Sequence, residues 1–317
     1  MHDPRWDPEM LQFQRVMDAA ARPDPIPDPA VDLAGTRRRT EWLNLPLAAG
    51  GPAMAESRDL RLPLAGREVT CRLHRPRRDA ALPVLLFLHG GGWAWNSIDT
   101  HDRLTRVLAL AGDCAVLAPD YALAPEHPFP QGLEESLDAA RWVARQGADL
   151  GLDGTRLVIG GDSAGANLAL AAALRLRETD PGLALAGLLL AYGVYDAGCD
   201  TPTYAEFAEG YGLTRERMRL FWRLYAPEEA DRRSPLAAPL AAELGGLPPV
   251  VMPVAELDVL RGENEAMAAR LRAAGVPVEW HLLAGTAHGF LRAQGRVAAA
   301  DAATAACAAW LRRRWAA

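Results

Sequence analysis

The sequence predicts an α/β protein with a mostly parallel central sheet flanked by helices. Three observations predict it. Short apolar runs bounded by Gly and Pro recur along the chain, stretches of helical spacing separate them, and several of the runs are continuously apolar, as in strands buried on both faces. Residues 1–50 stand apart: a short helical pattern (Met10, Phe13, Val16, Met17) stops at Pro23, Pro25, Pro27 and Pro29, which exclude helix. The strand–helix rhythm then starts with strands at 68–74 and 83–88, a helix at 101–111, a strand at 114–119 and a helix at 133–147. A strand at 156–161, a helix at 165–178 and a strand at 185–192 follow, and a strand at 249–255, a helix at 262–274, a strand at 278–283 and a helix at 296–313 complete it. Residues 196–240 interrupt this order with one helical segment near 214–225 and no strand. An insertion of that size at a strand end suits a lid or pocket element. The chain thus divides into an N-terminal segment (1–50), a core in two parts (51–195 and 241–317) and an insertion (196–240).

Composition removes several chemistries. All 34 basic residues are arginine, against 40 acidic ones, for a net charge of −6. Without lysine there is no Schiff base, no Walker A loop, no protein kinase and no Ser-x-x-Lys acyltransferase. An acidic balance with no long basic run argues against a nucleic-acid partner. Arg37 to Arg39 and Arg312 to Arg314 read as solvated charges. Half of the residues are hydrophobic and 23% are charged, the balance of a packed core. The longest uncharged apolar stretch, 182–195, has 14 residues, short of the roughly 20 that span a bilayer. The opening MHDPRWDPEM lacks the apolar centre of a signal peptide, so a cytoplasmic location is expected. Cys71, Cys114, Cys199 and Cys307 are scattered, as buried free thiols would be, and indicate neither a disulfide framework nor a metal site.

The strongest motif is Gly161-Asp162-Ser163-Ala164-Gly165, a G-x-S-x-G between an apolar strand and an alanine-rich helix. A nucleophile on so sharp a turn needs small neighbours, and the helix start directs its amides and dipole at charge developing by the hydroxyl. Upstream, a strand runs into His89-Gly90-Gly91-Gly92-Trp93, where consecutive glycines let backbone N–H groups approach an oxyanion. A serine needs a base, and only His281 and His288 follow Ser163. His281 lies within a strand pattern, whereas His288 falls in a loop past a strand's C-terminal end, where α/β sites gather; His288 is the base. Among many carboxylates, position favours Asp258, with Glu256 as the alternative.

Together with Asp120-Tyr121-Ala122-Leu123-Ala124-Pro125-Glu126-His127-Pro128-Phe129-Pro130, Asp258-Val259-Leu260-Arg261 and His288-Gly289-Phe290, these motifs resemble the hormone-sensitive-lipase family of the α/β-hydrolase fold, the bacterial family IV esterases. They span residues 89–290 in family order. The resemblance implies a triad of Ser163, Asp258 and His288, oxyanion donors at Gly91, Gly92 and Ala164 with Gly90 in the same turn, and a bracing role for His89. It implies a helical cap made from residues 1–50 and 196–240, and cis bonds before Pro125 and Pro130. This chain departs from the usual family pattern at Ala122, Ala166, Val259 and Gly262, none at a reacting atom.

The expected activity is hydrolysis of short- to medium-chain carboxylic esters through an acyl-enzyme, with a small-molecule ester as partner and no cofactor or metal. An aryl formamidase or amide hydrolase on the same fold is the alternative. A non-catalytic ligand receptor would have lost a triad member, and all three are present. Trp93, Tyr195 and Phe207 are candidate pocket residues, with Trp95, Tyr211, Phe221 and Trp222 in the same regions. Relatives often dimerise, so a homodimer is a further expectation.

Overall fold

The computed structural model describes residues 3–29 and 31–316. Its sheet begins with β1 (Glu56–Leu64) and β2 (Arg67–Arg75), an antiparallel hairpin turning at Ala65 and Gly66, both at positive φ (44° and 78°). Two such residues match the twist of the strands they join. The prediction began only at β2. β1 is an edge strand whose Arg58, Asp59 and Arg61 face solvent, while only Leu62 and Leu64 are fully buried, so its apolar signal is weak.

The remaining strands are β3 (Leu82–Leu88), β4 (Ala115–Pro119), β5 (Leu152–Asp162), β6 (Leu185–Ala191), β7 (Val250–Leu257) and β8 (Val278–Ala287). Eight strands form one sheet in the order β1-β2-β4-β3-β5-β6-β7-β8. β2 pairs antiparallel with β4, and every pairing from β4 through β8 is parallel. Every residue of β3 and β4 is buried, which is why they read as continuous apolar runs.

Parallel strands need crossovers, and helices supply them. In chain order the helices are α1 (Pro8–Ala21), α2 (Leu33–Ala48), α3 (Asp102–Gly112), α4 (Gln131–Gln146) and α5 (Ala164–Thr179), then α6 (Pro202–Glu206), α7 (Arg215–Tyr225), α8 (Glu229–Arg232), α9 (Arg261–Ala273) and α10 (Ala298–Trp315). α3 packs on α10, and α4 on α5. α1 starts at Asp7, whose side chain accepts the Met10 N–H at 2.9 Å with Pro8 in the first turn, a cap legible in the sequence.

α2 was not predicted. Asp32 caps it, accepting the Gly35 N–H at 2.7 Å, but its prolines and its arginine run mask the pattern. Of those arginines, Arg38 is exposed as expected, whereas Arg37 and Arg39 are engaged. Arg37 holds Glu126 at 2.7 Å and donates to the carbonyls of Ala94 (2.9 Å) and Ala124 (2.7 Å). Arg39 is buried, donates to the Ala20 carbonyl at 2.8 Å and stacks 4.4 Å from the Trp42 ring. These arginines fasten α2 to the loops after β3 and β4 and to the end of α1. Arg312 and Arg313, by contrast, are exposed.

All four cysteines are free and buried. The Ala124-Pro125 and Phe129-Pro130 bonds are cis. Among the described residues no helix is long and apolar enough to cross a membrane.

Candidate active site

Because β3, β5, β7 and β8 run parallel, their C-terminal ends lie along one edge of the sheet. His89 directly follows β3, Ser163 follows β5, Asp258 follows β7 and His288 follows β8. The topology therefore collects all four at one place, outside the carboxyl ends of the strands.

Ser163 sits at φ 55° and ψ −120°, between β5 and α5. Such a conformation at a non-glycine residue costs about 1–3 kcal/mol and persists only where its surroundings enforce it. Here the Ser163 N–H donates to the Ala191 carbonyl at 2.8 Å. The elbow presses against the end of β3: a Cβ at Gly161 would lie 2.3 Å from the Leu88 carbonyl oxygen, and one at Gly165 1.9 Å from it. Both positions of the motif require glycine for this close approach.

His288 Nε2 lies 2.9 Å from Ser163 Oγ, and Nδ1 lies 2.7 Å from Asp258 Oδ2. A carboxylate can only accept, so Nδ1 carries the proton and Nε2 is left to accept from the serine hydroxyl. Asp258 is buried, and its other oxygen accepts the Leu260 N–H at 3.0 Å. The imidazole meets the Tyr192 ring edge to face at 5.0 Å. Glu256, the alternative acid, faces elsewhere: it accepts the Gly285 N–H at 2.8 Å, beside the irregular register of β7 and β8. His281 pairs with Glu279 at 3.0 Å on the outer strand.

The glycine loop closes on itself, with the Trp95 N–H donating to the Gly91 carbonyl at 3.0 Å. Gly91 and Gly92 have φ of 132° and 59°. A Cβ at Gly92 would lie 2.1 Å from the Phe221 ring. The N–H groups of Gly91, Gly92 and Ala164 make no hydrogen bond among the described residues. Backbone donors are rarely left so, and this set is available to an oxyanion.

Gly90 is held differently, donating its N–H to Asp162 Oδ1 at 2.8 Å. Burial alone would raise the Asp162 carboxyl. His101 Nε2, 3.2 Å away, together with Arg292 and the Gly90 amide outweighs that and holds it down to about 2. Asp162 was not singled out from the sequence, although it is the variable residue inside the G-x-S-x-G itself. His89 stacks on Tyr121 at 4.4 Å, and the Tyr121 hydroxyl donates to its carbonyl at 2.7 Å. Burial, reinforced by His101, pushes the His89 imidazole down to about 3. The ring packs between Tyr121 and His101 beside the loop.

Ser163 and His288 open into a cavity of about 310 Å³. Phe13, Met17, Ile26 and Leu47 line it from the N-terminal segment, and Leu213 and Phe221 from the insertion. Three expected pocket residues lie elsewhere. Trp93 stacks on Tyr225 at 4.1 Å, Tyr195 is wholly buried with its N–H on Glu263, and Phe207 is buried between Tyr211 and the guanidinium groups of Arg5 and Arg261. Large aromatics next to a site are readily taken up by packing. Trp95 and Phe221 do reach the cavity.

A parallel-sheet fold, a serine on a strained elbow, a histidine–carboxylate relay and three waiting amides define a serine hydrolase. Residues 85–292 match the family described as alpha/beta hydrolase fold, and the chain belongs to that family, in its hormone-sensitive-lipase branch. It is 38% identical over 241 residues to the carboxylic ester hydrolase LipN of Mycobacterium tuberculosis, covering 74% of this chain and 64% of LipN. It is 36% identical over 240 residues to the ethyl acetate hydrolase of Pseudomonas putida, covering 74% of this chain and 76% of that protein. Among solved structures, an ester hydrolase from the metagenome of Lake Arreo superposes with a TM-score of 0.91 at 32% identity, over 98% of this chain and 100% of that one.

Proposed function

We propose that this protein is a serine carboxylesterase that hydrolyses short- to medium-chain esters through an acyl-enzyme. The observation that carries the reading is the unbroken relay from Ser163 Oγ to His288 (2.9 Å) to Asp258 (2.7 Å). His288 takes the hydroxyl proton as Ser163 attacks the ester carbonyl. The oxyanion receives the N–H groups of Gly91, Gly92 and Ala164, which strengthen as charge develops. His288 then returns the proton to the departing alcohol, leaving the acyl group on Ser163. Water, deprotonated by the same imidazole, attacks the acyl carbonyl and releases the acid and free serine. Asp258 keeps the imidazole oriented and stabilises its charged form without taking the proton.

The N-terminal segment and the insertion act together as a cap. Both contribute apolar side chains to the cavity, which supports an apolar acyl or alcohol group of limited length. Turnover of 4-nitrophenyl esters from acetate to decanoate tests the length limit: kcat/KM declines before decanoate if the cap closes the pocket, and a rise through decanoate contradicts it. Ser163→Ala tests the chemistry, with kcat on 4-nitrophenyl butanoate expected to fall by about 10⁴ or more. Wild-type rates in that variant would end the esterase reading.

A further inference from the structure

Among the residues that line the cavity, Arg217 and Arg292 are basic and Asp162 is the one acid. Asp162 is already held by the Gly90 N–H and His101, and it feels the charge of Arg292 without bonding to it. Neither arginine forms an ion pair among the described residues. Arg292 donates to the neutral Asn44 amide oxygen at 2.5 Å, and its buried Nε has no partner. Arg217 is the more exceptional. Its backbone N–H caps onto Thr214, but among the described residues its guanidinium makes no hydrogen bond, and it lies over the Trp95 ring, 4.9 Å from the centroid.

Burial lowers the pKa of Arg217, and no carboxylate acts in the other direction. Arg217 is half-buried on the cavity wall, and a neutral ester gives a cationic wall no charge to pair with. A guanidinium over an aromatic ring on the cavity wall keeps its N–H groups free for an entering acceptor, and the group that its fork fits is a carboxylate.

Building on the esterase reading, we infer that the preferred substrates are esters that carry a carboxylate, with Arg217 as the residue that pairs with it. The class includes half-esters of dicarboxylic acids and acyl esters of hydroxy acids. Arg292 adds positive potential to the same wall.

Two matched pairs test this. The acyl side is probed by the 4-nitrophenyl half-ester of glutaric acid against 4-nitrophenyl pentanoate, and the alcohol side by the acetyl ester of glycolic acid against ethyl acetate. At low ionic strength the anionic member is expected to have the higher kcat/KM in one pair by about tenfold or more, the worth of a charged hydrogen-bonded contact. Arg217→Gln should collapse that anionic-to-neutral ratio by about the same factor, and Arg217→Lys, which keeps the charge but loses the fork and the ring contact, should retain only part of it. A wild-type preference for the neutral ester in both pairs, or a ratio unmoved by Arg217→Gln, overturns the inference while leaving the esterase reading intact. No turnover of any of the four esters removes both.

Discussion

Two carboxylates stand two residues apart at the end of β7, and the whole assignment of the acid depends on which one the imidazole faces. Asp258 lies 2.7 Å from His288 Nδ1, whereas Glu256 accepts the Gly285 amide. Position along the chain favoured Asp258 but left Glu256 as the alternative, because both follow the same apolar run; the turn after β7 decides it. Asp258→Asn should keep the fold but present the wrong partner to Nδ1, lowering kcat by about 10⁴. Glu256→Gln should lose about 1 kcal/mol of stability and leave kcat within a few-fold. Steady-state kinetics and denaturant melts of the two variants check this. A severe kcat loss in Glu256→Gln with Asp258→Asn unaffected would reverse the assignment.

Strands and helices were legible in proportion to how evenly they are buried. β3 and β5, covered on both faces, lie within a few residues of their predicted limits, as does α5. The β1–β2 hairpin escaped because its turn is Ala65-Gly66, without the Asn or Asp that usually marks two residues at positive φ. The pocket was the least legible part. Trp93 and Tyr195 are as aromatic as Phe221, and only packing determines which faces the cavity. One element depends on a group whose role no spacing revealed: Glu263, in the first turn of α9, is buried and accepts the N–H groups of Tyr195 (2.7 Å) and Asp196 (2.9 Å) and the Tyr204 hydroxyl (2.6 Å). It ties the start of the insertion to the helix that follows the catalytic acid. Burial, against the pull of its donors, pushes its carboxyl from 4.5 up to about 8. A folded-state value above the unfolded one means that the proton favours the fold. That stabilisation is complete below about 4.5 and is lost as pH rises through about 8. The melting temperature of the wild type should therefore fall more between pH 5 and pH 9 than that of Glu263→Gln. Glu263→Ala, which strands three donors, should cost about 3 kcal/mol at pH 5 and less at pH 9, where the wild type has lost the contribution of the protonated carboxyl. Parallel melting curves for wild type and Glu263→Gln would contradict the shift.

At the scale of the molecule, the N-terminal segment is clamped across the site. Arg5 pairs with Glu206 at 2.6 Å, the Tyr211 hydroxyl donates to Asp3 at 2.8 Å, Trp6 stacks on Tyr211 at 5.6 Å, and the Asp7 N–H reaches the Gly285 carbonyl at 3.1 Å. Segment and insertion are thereby joined to each other over one catalytic core. The four buried thiols report whether the insertion opens apart from the core, since Cys199 lies in the insertion and Cys71, Cys114 and Cys307 lie in the core. Ellman's reagent should label none of the four in the native protein and all four in denaturant. Fast labelling of Cys199 alone would show an insertion that opens independently. The absence of lysine, first useful for what it excludes, bears on the same whole: with no lysine to serve as base, the serine proton goes to the histidine that the fold places 2.9 Å away.

The most direct test of the central claim is the mass of the intact protein after brief reaction with a fluorophosphonate, followed by peptide mapping. Attack by an activated serine predicts one added phosphonyl group, located on Ser163 and lost in both Ser163→Ala and His288→Ala. An unmodified protein, or an adduct on any other residue, would contradict it.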